Sequence, residues 1–399
     1  MVKINVIEGI IAEHAAKDFV KVGDELSVDV DLAIAHDVTG PLAIEQFKKI
    51  GVKKVYDGDK VVFVSDHNIP CSSVNSRVQH KTLENFSDDY NVKYFGRSEG
   101  VIHQLIMEEN LYKKRDIIVG ADSHTCTAGA FGAVAIGVGS TEMAAVMALG
   151  KIDIEVPPVK VINIEGKLND NVYGKDIILH IIGKFGTNGF TDTGVIITGE
   201  SIFNLSQDDK MTISNMMIEM GAMIGYIDQG DEIGEVLETV NIKAQDIFPC
   251  VACPPSPGNV KPVSEVEGIV INQAVLGSCT NGRYSDMLEA AEVIKGKKVA
   301  KGVNFIVVPS SKRVAQKMDE SGITKIFRDA GAIVTNPGCG PCFGAHQGLL
   351  NKDDVAVSST NRNFPGRMGH KEAKIYLASP RIVAESAVLG KLSSPGKVK

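Results

Sequence analysis

The sequence predicts an α/β fold in which mostly parallel sheets are covered by helices. Short continuous runs of Val and Ile, such as KVVFV and RDIIV, are typical of strands that are buried on both faces. Amphipathic segments at 284–295 and 311–322 suit the helices that would cover such sheets. A polar turn follows each of the apolar runs, which separates one strand from the next element.

The predicted strands end in residues that carry chemistry. The groups that follow five of these runs are Asp66 and His67; Asp122, Ser123 and His124; Cys279; Cys339 and Cys342; and Asn361, Arg362 and Arg367. Ligands of parallel α/β sheets bind outside the carboxyl ends of the strands. Five such ends therefore predict one shared, polar cleft.

Two seams divide the chain into three predicted domains, 1–157, 158–250 and 251–399. Pro157-Pro158 precedes a new apolar run, VKVINIEG. The segment FPCVACPPSPGNVKP has five prolines and no regular period, which is typical of a linker.

Composition excludes several classes of function. The 399 residues carry a net charge of −7 with both signs interspersed, which argues against a nucleic-acid partner. Trp is absent and aromatic residues make up 6%, so a stacking surface for single strands is not expected. The N-terminus lacks the pattern of a signal peptide, and no apolar run approaches the roughly 20 residues that span a bilayer. We therefore expect a cytoplasmic protein without a membrane partner.

The seven cysteines are expected to be thiols or metal ligands rather than disulfides. Cys339 and Cys342, spaced Cys-x-x-Cys, fit three hypotheses. They could form a redox pair, or a structural zinc site together with Cys250 and Cys253. They could also join Cys279 in holding an iron–sulfur cluster.

The motifs VSDHN, GADSHTCT, SCTNGR, NPGCGPC and STNRNFPGR resemble, in this order, those of the aconitase superfamily. The resemblance runs from LAIAHDVTGPLAI to YLASPRIVAESAVLGK, nearly the full chain. It implies aconitase-like three-layer αβα domains around a [4Fe–4S] cleft. It also implies one [4Fe–4S] cluster per subunit, with Cys279, Cys339 and Cys342 as its ligands.

The resemblance further implies a hydro-lyase that dehydrates and rehydrates a hydroxy di- or tricarboxylic acid. The chain is most similar in style to the large subunit of an enzyme that isomerises 2-isopropylmalate and 3-isopropylmalate in leucine biosynthesis. Homoaconitase and 2,3-dimethylmalate dehydratase are the alternatives. A cluster-free RNA-binding regulator and a structural zinc protein are alternatives of other classes, and the net charge argues against the first.

Catalytic roles are implied residue by residue. His103 resembles the family's general acid, with Asp122 and His124 beside it. Asp66 and His67 form a second pair of the kind that fixes a histidine tautomer. Asn215 and Glu219 are four residues apart, which places both on one face of a helix among methionines. We expect Glu219 to be catalytic.

The predicted substrate-binding residues include two arginines, because guanidinium groups bind carboxylates with two hydrogen bonds. The set comprises His36, Ser123, Asn215, Asn361, Arg362 and Arg367. Arg283 is either a further site residue or a surface arginine. His14, His80, His180 and His370 are interpreted as structural.

One part of the family's site has no counterpart in this sequence. Fused members carry a swivelling domain that supplies a serine base and more substrate arginines. We expect these groups on a separate small subunit, which would be the partner of this chain.

Overall fold

A computed structural model describes residues 4–398 of the chain. Its α-helices cover the faces of four sheets, and the short ones, α7 and α9, form single turns after strands. They are α1 (Val6–His14), α2 (Gly40–Ile50), α3 (Val74–Tyr90), α4 (Ile102–Glu108), α5 (Ser140–Leu149), α6 (Gly174–Phe185), α7 (Glu200–Phe203), α8 (Gln207–Met216), α9 (Ser278–Asn281), α10 (Tyr284–Ile294), α11 (Lys312–Glu320), α12 (Ile323–Ala330) and α13 (Pro380–Leu389). The predicted helices at 284–295 and 311–322 correspond to α10 and α11.

The first large sheet is entirely parallel and has the order β4-β3-β2-β5-β6. Its strands are β2 (Leu32–His36), β3 (Val61–Val64), β4 (Lys93–Phe95), β5 (Ile117–Gly120) and β6 (Val134–Gly137). A small antiparallel pair, β1 (Glu25–Asp29) and β7 (Lys151–Glu155), lies outside it. The three central strands are buried along their whole length, as their Val and Ile runs predict.

The second sheet is also parallel, in the order β10-β9-β8-β11. Its strands are β8 (Val159–Glu165), β9 (Gly194–Thr198), β10 (Ile224–Ile227) and β11 (Glu238–Lys243). The apolar residues of this sheet and of α6 and α8 form one continuous core, which includes Ile178, Ile197 and Met216.

The third sheet has seven strands in the order β13-β12-β18-β17-β14-β15-β16. Its strands are β12 (Cys250–Ala252), β13 (Val260–Pro262), β14 (Gln273–Gly277), β15 (Asn304–Val308), β16 (Ile333–Val334), β17 (Val355–Ser358) and β18 (Lys374–Leu377). The strands from β18 to β16 are parallel, whereas β12 pairs antiparallel with both of its neighbours. This architecture confirms the predicted α/β class with mostly parallel sheets.

The linker predicted at 248–262 is wrong. Cys250–Ala252 and Val260–Pro262 form a hairpin at the edge of the third sheet. Pro254, Pro255 and Pro257 lie in the turn between the two strands, and Pro262 ends an edge strand, where a missing N–H is tolerated. The prolines therefore shape a turn within the sheet.

Each of the three predicted domains contains one large sheet, although β12 begins at Cys250, one residue before the predicted boundary. The division into domains itself stays a prediction. Within the described part of the chain, no helix is long and apolar enough to cross a membrane.

Candidate active site

A polar cleft of about 430 Å³ lies where strands of the first and third sheets end. Thirteen predicted site residues line it, namely His36, Asp66, His67, His103, Asp122, Ser123, His124, Cys279, Cys339, Cys342, Asn361, Arg362 and Arg367. His36 is the last residue of β2, His103 lies in the first turn of α4, and the others follow β3, β5, β14, β16 and β17. The structure thus brings residues from distant parts of the sequence to one cleft, because parallel strands present their carboxyl ends at the same edge.

The three predicted cysteine ligands line this cleft from the short helix α9 and from one loop. Cys279 lies on α9 directly after β14, and Cys339 and Cys342 lie in the loop after β16. All three are buried and none forms a disulfide. Asn215 and Asn361 point their Nδ2 atoms at the Cys279 sulfur, at 3.6 Å and 3.4 Å.

The surroundings of Cys342 favour a thiolate. Arg367 contacts its sulfur at 3.8 Å. Burial alone would raise the pKa of Cys342, but Arg367 and His124 hold it below its usual range. Burial raises the pKa of Cys339 well above the ordinary value, and Asp66 raises it further. N–H donors on sulfur suit a thiolate ligand, so this donor set fits a metal cluster.

The three cysteines do not belong to the tight group of metal-ligating side chains beside the cleft. Among the described residues, the group of three or more such side chains whose ligand atoms all lie within 4.8 Å of one another is His36, Asp37, Asp66 and His67.

Asp122 contacts three histidines of the cleft. Its carboxylate oxygens contact His36 Nε2 at 3.3 Å, His103 Nε2 at 3.3 Å and His124 Nδ1 at 3.4 Å. Burial alone would raise the pKa of Asp122, but these histidines, His103 foremost, hold it well below its usual range. The carboxylate therefore stays ionised and fixes the orientation of three imidazole rings.

Glu219 lies next to the cleft and contacts two of its lining residues, His124 and Arg362. Glu219 accepts from His124 Nε2 at 3.2 Å and from Arg362 Nε at 2.6 Å. Burial would raise the pKa of Glu219, but His124 and Arg362 lower it. Burial would lower the pKa of His124, but Asp122 and Glu219 raise it. His124 is thus held between two carboxylates.

The helical pairing predicted for Asn215 and Glu219 is wrong in detail. Asn215 lies in α8, which ends at Met216, and Glu219 lies in the 3₁₀ turn Met217–Met220. Both side chains are nevertheless buried, and both reach residues of the cleft without lining it.

Asp66 and His67 form the predicted pair, with Asp66 Oδ1 2.6 Å from His67 Nδ1. Asp66 Oδ2 also accepts from the backbone N–H of Ile102 at 2.8 Å, which ties the loop to α4. The rings of His36 and His67 stack with their centroids 4.0 Å apart. Burial would lower the pKa of His67, but Cys339, Asp66 and Asp37 raise it well above its usual range.

Two buried neighbours of the cleft were missed by sequence reasoning. Asp37 accepts hydrogen bonds from the backbone of His67 and Asn68 at 3.0 Å and 2.9 Å. Its position directly after β2, beside His36, is the signal that could have found it. Lys175 is fully buried and donates to the carbonyls of Ser359 and Thr360 at 2.6 Å and 2.7 Å. Nothing in the amphipathic pattern of α6 marks Lys175.

Arg283 is not a surface residue, since only 1% of it is exposed. Its guanidinium donates to the carbonyls of Thr280 and Cys279 at 2.6 Å and 2.9 Å. Arg283 thus holds the backbone of the turn that carries Cys279 and does not line the cleft.

Comparison with known proteins places this site in a family. The sequence model of the aconitase family (aconitate hydratase) matches residues 8–247 and 259–390. The chain is 40% identical to a probable 3-isopropylmalate dehydratase large subunit of Methanothermobacter thermautotrophicus, over 99% of this chain and 100% of the relative. It is 44% identical to a 3-isopropylmalate dehydratase large subunit of Clostridium kluyveri, over 98% of each.

Two further similarities broaden the comparison. A probable methanogen homoaconitase large subunit of Methanothermobacter thermautotrophicus is 43% identical over 99% of this chain and 98% of the relative. The crystal structure of Thermococcus kodakaraensis aconitase X in its holo-form has a TM-score of 0.56 at 13% identity, over 90% of each chain. That structural likeness supports the fold alone, whereas the sequence matches confirm the predicted family: the chain belongs to the aconitase family.

Proposed function

We propose that this chain is the iron–sulfur large subunit of a hydro-lyase that interconverts 2-isopropylmalate and 3-isopropylmalate in leucine biosynthesis. One observation carries the proposal: three cysteines, two Asp–His groups and two arginines line a single cleft. The relatives named above support the substrate, since several are 3-isopropylmalate dehydratase large subunits.

Membership of the aconitase family implies an iron–sulfur cluster. We assign Cys279, Cys339 and Cys342 as thiolate ligands of one [4Fe–4S] cluster per chain, because three cysteines leave one iron without a protein ligand. The cluster supplies Lewis-acid chemistry toward the oxygens of a bound hydroxy acid. Asn215, Asn361 and Arg367 would donate hydrogen bonds to the thiolates.

His103 is the proposed general acid for the departing hydroxyl. Its Nε2 faces Asp122, and its buried Nδ1 has no hydrogen-bond partner within residues 4–398. The Asp122 carboxylate holds the His103 ring in place, 3.3 Å from Nε2. His67, paired with Asp66, and His124, paired with Asp122 and Glu219, would hold further protons at the cleft.

The lining of the cleft supports a dicarboxylate with an apolar branch. Of all Arg and Lys residues in the described part of the chain, Arg362 and Arg367 are the two that line the cleft. Each suits one carboxylate group of the substrate. Val38, Val101 and Val138 also line the cleft and could bury an isopropyl group. Homoaconitase activity is the second candidate, favoured by the relative that is 43% identical.

We further propose that a small subunit completes the enzyme. Relatives that the chain matches along almost their whole length are named large subunits. The partner would carry the swivelling domain, with a serine base and substrate arginines, and would exclude water from the cleft. The complex would act in the cytoplasm.

An assay with and without the partner tests this proposal. The anaerobically purified chain is mixed with 2-isopropylmaleate or with homoaconitate, alone and then with a co-expressed small subunit. We expect hydration of 2-isopropylmaleate by the complex, and a rate lower by about 10² to 10⁴ for the chain alone, the range of a missing general base. Full turnover by the chain alone would show that the base lies within these residues. Preference for homoaconitate would select the second candidate.

A further inference from the structure

A second cavity, of about 870 Å³, lies beside the loop that carries His67. It is bounded by residues 69–71, by one face of α3 and by the segment around β4. It has the size of pockets that bind small molecules, and it is separate from the cleft, with which it shares no lining residue.

Cys71 lines this cavity. Its thiol contacts His80, which in turn contacts the carboxylate of Asp37. Its sulfur is 3.4 Å from His80 Nδ1, and His80 Nε2 is 3.0 Å from Asp37 Oδ2. Burial would raise the pKa of Asp37, but hydrogen bonds from His67 and His80 hold it well below its usual range. Ionised Asp37 can only accept, so His80 Nε2 is the donor in this contact, and His80 Nδ1 is the ring nitrogen that faces the thiol.

Exposure distinguishes Cys71 from the other cysteines. Cys71 is partly exposed, whereas the other six are buried. A thiol reacts as its thiolate, so a neighbouring base and access from solvent together define a reactive cysteine. Cys71 has both.

The cavity also contains polar groups that lack a partner. Ser87 is 6% exposed, lines the cavity, and its hydroxyl has no hydrogen-bond partner in the described part of the chain. Glu99 Oε2 is also buried and has no hydrogen-bond partner among residues 4–398. Arg97 lines the same cavity, and its charge acts on the Glu99 carboxyl group. A hydroxyl and a carboxylate oxygen without hydrogen-bond partners, beside a guanidinium group, suit a zwitterionic ligand with carboxylate and ammonium groups.

We propose that Cys71 is a reversible modification site for a zwitterionic peptide disulfide of the glutathione type, with His80 as its base and Asp37 as the orienting carboxylate. The cavity would hold the peptide part of the reagent. The arrangement uses residues that the hydro-lyase reaction does not need, except that Asp37 also contacts the loop of His67.

The reaction is a thiol–disulfide exchange. His80 Nδ1 takes the proton of the Cys71 thiol, and the thiolate attacks one sulfur of the disulfide. A Cys71–sulfur bond forms as the sulfur–sulfur bond of the reagent breaks. The released thiolate takes the proton from His80 and leaves as a thiol. Cys71 is oxidised, and one sulfur of the reagent is reduced.

Modification would reach the active site through Asp37. This carboxylate accepts from His80 on one side and from the backbone N–H groups of Asp66, His67 and Asn68 on the other. A mixed disulfide on Cys71 removes the contact of its thiol with His80. We therefore expect lower turnover of the complex, restored by a thiol reductant. This consequence rests on the proposed function, whereas the modification itself does not.

The test exposes the full chain, with its cluster and under anaerobic conditions, to oxidised glutathione alone, and then maps adducts by peptide mass spectrometry. We expect the adduct on Cys71, and none on Cys126, Cys250 or Cys253. Cys71→Ser should abolish it while the basal activity stays unchanged. His80→Gln should slow it by at least about tenfold, since a positioned base contributes about 10² or more.

A measurement on the unaltered chain covers the case in which His80→Gln fails to fold. Cys71 should react faster in the native protein than in the same chain unfolded in urea, where His80 no longer faces it. Slower reaction in the native state, or an adduct on another cysteine with Cys71 free, would overturn the site. An adduct on Cys71 with unchanged turnover would overturn the link to the active site. Absence of turnover before modification would instead contradict the proposed function, because the adduct is measured independently.

Discussion

The chain contains two Cys-x-x-Cys pairs, and they lie in different places: one at the polar cleft and one away from it. Cys339 and Cys342 lie in a loop at the polar cleft, where Arg367 contacts the sulfur of Cys342. Cys250 lies in β12 and Cys253 directly after it, each within an apolar core. Spacing alone therefore does not make a metal site; the groups that surround each sulfur differ between the two pairs.

The electrostatics of Cys250 and Cys342 show the contrast. Burial raises the pKa of Cys250 well above its usual range, and the carboxyl group of Asp176 raises it further. The pKa of Cys342 is lowered, although it is equally removed from water, because Arg367 and His124 face it. Cys250 thus lies beside a carboxyl group in an apolar core, whereas Cys342 faces two cationic groups, as a proposed thiolate ligand should.

The largest effect is expected from serine substitutions that compare the two pairs. Cys279→Ser, Cys339→Ser and Cys342→Ser should each remove the cluster and all measurable activity, because each deletes a thiolate ligand. Cys250→Ser and Cys253→Ser are the matched controls and should keep the iron. Iron content and turnover of the complex are the measurements. Loss of iron from either control would make the ligand assignment wrong.

A smaller loss of turnover is expected when the carboxylate of Asp122 is neutralised. Asp122→Asn should lower the rate by about 10² to 10⁴, because His36, His103 and His124 lose the charge that orients them. The iron content should stay the same.

Asp116→Asn is the control for that substitution, since Asp116 lies at the opposite end of β5 and accepts from the backbone of Lys113. A full rate for Asp122→Asn, or an equal loss in the control, would remove Asp122 from the mechanism.

Two adjacent residues of α6 contact the surroundings of the two Cys-x-x-Cys pairs. Asp176 accepts from the backbone N–H of Cys250, and Lys175 contacts the segment beside the cleft. Lys175 donates to the loop of Ser359 and Thr360 beside the cleft. Lys175→Met should lower the free energy of unfolding by about 2 to 4 kcal/mol, since two buried carbonyls lose their donor. Lys184→Met, at an exposed position of the same helix, should change it by less than about 0.5 kcal/mol. Urea unfolding of both variants measures this; equal effects would contradict the role of Lys175.

The smallest effect is expected for Asp176, whose contribution to the free energy of unfolding depends on pH. Burial raises the pKa of Asp176 to about 7. A carboxyl group whose pKa is higher in the folded state stabilises the protein while it is protonated, and this contribution is lost as the pH rises through about 7. Between about pH 5 and about pH 8, the wild type should lose roughly 2 to 3 kcal/mol more than Asp176→Asn.

The difference between two pH values is the measured quantity for Asp176, so any constant cost of the substitution cancels. The free energy of unfolding in urea is determined for both proteins at each pH. Identical pH dependence in the two proteins would mean that Asp176 is ionised throughout and that its burial is offset by other groups.

Much of the fold and of the candidate site follows from local pattern. Val and Ile runs predict β3, β5 and β14, and the parallel arrangement brings the residues after them together. The family resemblance rests on these same turns. Residues such as Asp66, Asp122 and Cys279 can therefore be selected from the amino-acid sequence alone, although their roles stay predictions.

The missed features depend on packing that the local sequence does not carry. Lys175 lies in an amphipathic helix, and its partners are two carbonyls directly after β17, a strand of the third sheet. The proline-rich segment predicted to be a linker forms a hairpin because β18 offers an edge to Cys250–Ala252. Arg283 is buried because backbone carbonyls of its own turn accept from it. In each case a partner that is distant in sequence, or a backbone group, decides the structure, and the local sequence pattern does not predict it.

The metal content of the anaerobically purified wild-type chain tests the central claim most directly. If Cys279, Cys339 and Cys342 hold a [4Fe–4S] cluster, the protein is brown and contains about four irons and about four acid-labile sulfides per chain. One iron should be lost readily in air, because it has no thiolate. Stoichiometric zinc without sulfide would contradict this account and would favour a structural metal site.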